Sequence, residues 1–555
     1  PIFPDPTGIL RLNRRYNLKP TGGSRLSAAL IPAGMAYAEA SGLPAVTGLY
    51  ASVVPMLFYA VFGPARVIIV GPDSSLAPMI AAAVLPLAGR DPAHAVGLAG
   101  VLAIMIGVFL IAGRIFRVGF VTGLLSKPIR VGYLNGIALA VIISQLPRLL
   151  GITVDGDSLP AKATETVEAV LRGAANPVAL LFGVATVAII VVGRFFPWKV
   201  PGVLLAVAAS TGAAAALDLK DVMPMVGALP QGLPAPALGG IAMHDLAGLI
   251  GPAAGIALIA FADTSALSKS LAGRRGIHTS GNQEMGALGI ANVASGMLGG
   301  FPVSGSSSRT PIALDAGART PLSGIVAAAL VVIFMMAAPG VTAFLPSTTL
   351  AAVVIVAAAS LVDIKTMFRL VRMSRIETAL LIATFLGVAF VGVLQGIVIA
   401  IALSFIAFVR RAWDPYRTEL ASLEDVPGYH DLSRHPEGQR VPGLVIARFD
   451  APLFFANGAV FAEHIRSLVA NAPGPVKWVI VASEAITDLD TTALDDLVEL
   501  DDELAGQGIS LVFAELKGPV KDRLLKFGVS SRFGPDHFFP TVNNAVRTYK
   551  RTFGI

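Results

Sequence analysis

The residues best able to do chemistry gather in Phe301-Pro-Val-Ser-Gly-Ser-Ser-Ser-Arg-Thr-Pro311, a polar island within a run of apolar segments. It holds one arginine, four serines, a threonine and a glycine between bracketing prolines. No lipid-facing helix can be built from it. Irregular backbone survives at membrane depth only where protein buries it or where it lines a watery cavity. Pro311 lacks an N–H and has a fixed φ, which suits the first turn of a helix. Extended backbone is therefore expected over 301–306, followed by a short helix from near Ser307 to about Ala316. A helix start offers unpaired N–H donors and the positive end of a dipole. Arg309 adds a permanent positive charge. Together these outline a site for an anion.

A second stretch has the same build. Val67-Ile-Ile-Val-Gly-Pro-Asp-Ser-Ser-Leu-Ala-Pro78 runs from a β-like segment through a Gly-Pro break into Asp73, Ser74 and Ser75, all good N-cap residues. The two stretches lie about 235 residues apart, near the middle of two similar halves. Paired Gly/Pro-interrupted segments of this kind point to a transporter's binding site. A third feature is Asp263, about a dozen residues into the apolar run that starts at Gly251, followed by Thr264 and Ser265. A carboxylate at that depth is expensive and usually functional. Two jobs suit it: holding a coupling Na⁺ or H⁺, with Thr264 supplying a hydroxyl, or pairing with Arg309 to set the field of the anion site. A buried hydrogen bond that only fixes helix packing is the plain structural alternative.

The elements that must position these residues are membrane helices. The chain has 555 residues, of which 54% are apolar and 14% charged, with a mean hydropathy of +0.73. Soluble domains usually carry about 25% charge. With no cysteine, disulfides, thiol catalysis and cysteine metal sites are excluded. The seven histidines are scattered without metal-ligand spacing, so no metal is expected. A net charge of +6 fits basic loops better than nucleic-acid binding. Fourteen apolar segments follow residues 1–23, two of them the half-helices at 73–88 and 306–317. Basic residues collect at segment ends, among them Arg114 with Arg117 and Arg410 with Arg411, and in the N-terminal Arg11, Arg14, Arg15 and Lys19. Both termini are therefore expected in the cytoplasm. Seven plus seven spans make the halves inverted: 24–217, an extracytoplasmic linker at 218–244, then 245–411. A linker at 412–440 leads to 441–555, where strands alternate with amphipathic helices as in a soluble α/β domain.

In that domain Asp490 is placed to cap a helix opened by Thr491 and Thr492, a loop that could also be modified or bind a protein partner. The chain has no Ser/His/Asp arrangement, P-loop or GxGxxG, so neither an enzyme nor an ATP-driven pump is expected.

Ile31-Pro-Ala-Gly-Met-Ala-Tyr-Ala38, Gly42-Leu-Pro44, Gly48-Leu-Tyr50, Gly71-Pro72 and the 301–309 stretch together resemble the SulP (sulfate permease) anion transporters, the solute carrier 26 family. Asp488-Leu-Asp490-Thr-Thr492 looks like the characteristic loop of a STAS domain. The resemblance implies an α-helical polytopic membrane protein with 7+7 inverted repeats, as in uracil permeases, plus a cytoplasmic STAS domain. Spans 1–4 and 8–11 would form a core that moves against a gate of spans 5–7 and 12–14. Carried over, the substrate-binding positions are Tyr37, Asp73, Ser74, Ser306, Ser307, Ser308 and Arg309, with Asp263 beside them. Many relatives carry Gln where this chain has Ala33, which removes a side-chain amide from the expected site. The expected function is secondary transport of a small anion (sulfate, bicarbonate or a dicarboxylate such as fumarate), coupled to H⁺ or Na⁺, by a homodimer in the inner (plasma) membrane. A nucleobase permease of the same fold, an anion channel and a membrane sensor signalling through STAS are the rival readings.

Overall fold

A computed structural model describes residues 23–65, 67–89, 91–119, 126–154, 156, 158–193, 195, 201–230, 232, 241–275, 280–315, 318, 320–424, 426–529 and 532–555. Most of the N-terminal segment, including Arg11, Arg14, Arg15 and Lys19, lies outside them. The chain divides into two compact units, 1–404 and 405–555.

The first unit is helical. Its helices are α1 (Gly23–Ala40), α2 (Ala45–Phe62), α3 (Ala77–Ala88), α4 (Pro92–Ile115), α5 (Lys127–Leu149), α6 (Leu159–Leu171), α7 (Pro177–Val192) and α8 (Gly202–Ala216). After the linker come α9 (Met243–Arg275), α10 (Gly281–Met297), α11 (Arg309–Asp315), α12 (Leu322–Ala337), α13 (Ser347–Ala359), α14 (Ile364–Met373), α15 (Arg375–Leu386) and α16 (Val393–Trp413), the last continuing into the second unit. Each of the fourteen apolar segments contains one of these helices; the amphipathic α6 and α14 are additional. Five described stretches are long and apolar enough to cross a membrane. The linker is not wholly detached, because Met225 forms an antiparallel bridge with Pro346.

Small residues let the helices that carry the site approach closely. A Cβ on Gly296 of α10 would lie 2.2 Å from the carbonyl oxygen of Gly100 on α4, and one on Gly289 would lie 2.9 Å from that of Gly107. At such contacts only glycine fits.

Between the helices, β1 (Val70–Gly71) and β2 (Ser304–Gly305) pair antiparallel, Val70 opposite Gly305 and Gly71 opposite Ser304. Each strand precedes a short helix, α3 or α11. The surrounding residues are buried, so their backbone groups need partners. Asn292 supplies two, donating to Val303 O at 3.0 Å and accepting from Val303 N at 2.9 Å. Ser295 Oγ donates to Phe301 O at 2.8 Å. Thr310 Oγ1 accepts from Ile69 N at 3.1 Å, and Ser306 N donates to Ile69 O at 2.9 Å.

The second unit contains a six-stranded sheet in the order β4-β3-β5-β6-β7-β8. The strands are β3 (Arg417–Ser422), β4 (Tyr429–Asp431), β5 (Leu444–Phe449), β6 (Trp478–Ala482), β7 (Ser510–Ala514) and β8 (Phe538–Phe539). β5 to β8 run parallel, while β3 and β4 are antiparallel additions. The stretch expected as a linker at 412–440 therefore supplies two strands. Arg417-Thr-Glu-Leu-Ala-Ser is short and polar, so its pairing comes from the neighbouring β5 and not from a visible apolar alternation. One sheet face packs Val445, Ala447 and Phe449 against α17 (Gly458–Ala470), α18 (Thr491–Gly506) and α19 (Gly518–Lys526). The other packs Leu444, Ile446 and Ile480 against Ala545, Val546 and Tyr549 of α20 (Val542–Phe553).

Candidate functional site

Arg309 opens α11 directly after the strand crossing and is only 2% exposed. Its guanidinium is held by a hydroxyl and a backbone carbonyl: Nε donates to Ser306 Oγ at 3.0 Å, and Nη2 donates to the carbonyl of Pro72. Nη1 is buried with no hydrogen-bond partner among the described residues. A Cβ on Gly71 would lie 3.3 Å from Nη1, so glycine keeps that approach clear. The Tyr37 ring, 3% exposed on α1, has its centroid 6.0 Å from the guanidinium carbon, at the outer limit of a cation–π contact. α11 spans only seven residues and begins at Arg309, two positions later than expected. The side chain, more than the helix end, therefore supplies the positive charge.

On the opposite stretch the expected capping does not occur. The N-cap of α3 is Leu76, with no side-chain cap bond. The Asp73 carboxylate instead closes a local turn, its Oδ2 accepting from Ser75 N at 3.1 Å and from Ser75 Oγ at 2.7 Å. The helix starts too late for Asp73 to reach its free amides. Asp73, Ser74 and Ser75 are all buried.

Asp263 on α9 is half-buried. Oδ1 accepts from Tyr133 Oη at 3.0 Å and Oδ2 from Ser75 Oγ at 3.4 Å. Asp73 relates the two: it follows Pro72, whose carbonyl Arg309 binds, and its partner Ser75 also donates to Asp263. Of the two jobs considered for Asp263, direct pairing with Arg309 is not what the geometry displays. Thr264 is turned elsewhere: Oγ1 donates to Ala260 O at 2.7 Å and accepts from Gly305 N at 2.8 Å, which pins β2 to α9. Ser306 is fully buried and bonds Ser308 Oγ at 3.2 Å, whereas Ser307 and Ser308 are exposed. Ala33 is buried and brings no polar group. The structure thus gathers Tyr37, Asp73, Ser75, Asp263, Ser306, Ser308 and Arg309 through one connected set of contacts.

Four positions were not singled out from the sequence. Asn292 and Ser295 hold the crossing; their signal was an Asn and a Ser three apart on one helix face just before a β-like stretch. Tyr133 had no signal beyond one hydroxyl in an apolar run. Glu284 on α10 is 1% exposed, with one oxygen accepting from Tyr59 Oη and the other from Ser268 Oγ at 3.0 Å.

In the second unit Asp490 caps α18, Oδ1 accepting from Ala493 N at 2.9 Å, and Oδ2 accepts from Phe455 N at 2.8 Å. Thr491 and Thr492 are exposed beside it. Asp488 binds Arg523, which also donates to Leu489 O at 3.0 Å.

The sequence matches the sulfate permease family over residues 22–384 and the STAS domain over 435–545. A probable sulfate transporter of Mycobacterium tuberculosis is 38% identical over 531 residues, covering 95% of this chain and 94% of the relative. The murine solute carrier 26 family member A9 anion transporter, solved in an inward-facing state, superposes with a TM-score of 0.90 at 21% identity over 99% of this chain and 94% of its own. The transmembrane domain of a cyanobacterial bicarbonate transporter gives 0.59 at 26% identity, over 71% and 97%. The chain belongs to the sulfate permease family, as a multi-pass membrane protein with that family's helical transporter fold and a C-terminal STAS domain.

Proposed function

We propose that the chain is a secondary transporter of a small inorganic or carboxylate anion, working by alternating access. The observation that carries this reading is Arg309: a buried, permanent cation with Nη1 unpartnered, beside a strand crossing and two short helices. A buried guanidinium donor left unsatisfied is costly unless a ligand completes it. An anion does so with charge-assisted hydrogen bonds. Sulfate, bicarbonate and a dicarboxylate such as fumarate fit that chemistry, and the names of the relatives support the class. A nucleobase would need a carboxylate for its edge, and Asp263 and Asp73 are already engaged by Tyr133 and Ser75. Asp263 is the proposed coupling group for H⁺ or Na⁺, since neutral hydroxyls bond it and, among the described residues, no cation pairs directly with it. The working unit is a homodimer in the plasma membrane, both termini cytoplasmic, with the STAS loop at 490–492 open to a protein partner.

Uptake of radiolabelled sulfate, bicarbonate and fumarate into proteoliposomes, with and without inward proton or sodium gradients, tests this. Gradient-dependent accumulation of one anion, abolished in Arg309→Ala, is expected. No uptake of any of them under either gradient would refute the transporter reading and favour a sensor.

A further inference from the structure

We propose that Tyr133 is a positioning residue that ties α5 to the anion site through the Asp263 carboxylate and releases it when that carboxylate is protonated. The inference rests on the transport reading above and deepens it.

Tyr133 is 1% exposed, and its bond to Asp263 is the shorter of the two that the carboxylate accepts. The bond joins two packing groups. α9 lies against α3, α4, α10 and β2, whereas α5 lies mainly against α6, α13, α14 and α15 and only lightly against α7 and α3. α5 is seated flush on its own group. A Cβ on Gly132 would lie 2.5 Å from Leu381 O, and one on Gly136 would lie 2.8 Å from Val388 Cβ. Contacts that close leave α5 no room to slide alone, so whatever holds Tyr133 also holds α15 and the turn after it. The tie therefore acts on a body of helices and not on one ring.

Its strength follows the acceptor. A hydrogen bond to an ionised carboxylate is roughly twice as strong as one to a neutral group. Among the described residues, the ionisable groups around Asp263 are Tyr133, which bonds it, Asp73 in the turn before α3, joined through Ser75, and Arg130 of α5. Arg130 lies three residues, or about one helical turn, before Tyr133 and shares its face. On α10, Glu284 is turned to Tyr59 and Ser268; on α4, Arg114 lies against Gly286. The charge that Tyr133 senses is thus set locally. With Asp263 ionised, the tie holds the two groups of helices together. With a proton on the carboxylate, the bond weakens and the groups can separate.

The cysteine-free chain permits a direct test. Spin labels on cysteines replacing Lys127 of α5 and Lys269 of α9, both exposed, report the separation of the two groups in proteoliposomes. The unmodified chain should give a narrow distance distribution at pH 8 and a broad or shifted one at pH 4.5. Tyr133→Phe, which keeps the ring and removes only the hydroxyl, should give the acid distribution at both pH values. Asp263→Asn should do the same, which guards against a folding artefact in one variant. In uptake assays Tyr133→Phe should retain transport while its response to the proton gradient falls at least threefold. A Tyr133→Phe distribution that still changes with pH as in the unmodified chain would overturn the tie. Absence of uptake by the unmodified chain would strike the transport reading instead, and the distance comparison would still decide the tie.

Discussion

Asn292 offers the sharpest test of how the site is held. Replacing it with leucine keeps the shape and removes every polar atom. Val303 N and Val303 O, now paired at 2.9 and 3.0 Å, would both be left in a fully buried place without partners. Each unsatisfied buried backbone group costs about 1–3 kcal/mol, so the variant should lose about 2–6 kcal/mol if the segment stays in place. The segment need not stay. Val303 lies just ahead of β2, and Ser306 and Arg309 follow it, so relaxation would shift the guanidinium away from Pro72. Either response is visible. Thermal unfolding in detergent should show a clear drop in midpoint, and uptake of the transported anion in proteoliposomes should fall by roughly tenfold or more, the factor that about 1.4 kcal/mol represents. Asn292→Asp retains an acceptor for Val303 N but buries a carboxylate against Val303 O, and should be no milder than the leucine change at neutral pH. A leucine variant with the parental melting point and parental uptake would refute the claim that this amide secures the crossing.

Arg309→Lys should reduce anion affinity by roughly tenfold or more despite the retained charge, because one ammonium cannot reproduce the fork that reaches both Ser306 and Pro72; competition binding measures it. Tyr59→Phe leaves Glu284 with Ser268 as its remaining hydroxyl partner and should lower stability by about 1–3 kcal/mol, seen as an earlier thermal transition. In the soluble unit, burial holds the His464 imidazole below its ordinary range. The folded state therefore resists a proton that the unfolded chain accepts, so this contribution is complete above about pH 6.5 and declines as pH falls below it. The protection of α17 amides, taken as exchange relative to the intrinsic rate at each pH, should fall on acidification, and His464→Leu should flatten that dependence.

Arg309 and Asp263 were legible because a charge deep in a chain this apolar stands out against every neighbour. The crossing was half legible. Gly71-Pro72 and the serine-rich stretch announced broken backbone, but not which side chains would satisfy it. Asn292 sits among Gly, Ala and Val and looks like one more tolerable polar residue on a packing helix. Its importance arises only when β2 folds back over α10. Asp73 was legible as a residue that closes backbone, yet the capping expectation failed because the helix begins at Ala77, beyond its reach. Tyr133 was invisible because its partner lies on another helix 130 residues away. In the soluble unit the parallel strands β5, β6 and β7 were evident from their continuous apolar runs, whereas β3, β4 and the two-residue β8 owe their state to pairing and carry little pattern of their own.

The short pairing of Val70 with Gly305 also sets an order of assembly. Bringing together positions about 235 residues apart carries a loop-closure penalty of roughly 3–4 kcal/mol beyond that of a four-residue local contact. The chain leaves the ribosome from its N-terminus, so β1 waits unpaired through the insertion of α3 to α10. Such late, long-range pairing is slow and leaves the waiting edge open to wrong partners. The candidate residues of the first half, Tyr37 on α1 and Asp73 in its turn with Ser75, thus meet Ser306 and Arg309 only when the second half arrives. A fragment ending before residue 304 should insert and pack α1, α2 and α4 yet bind no anion, and a separately expressed second half should be able to complete it.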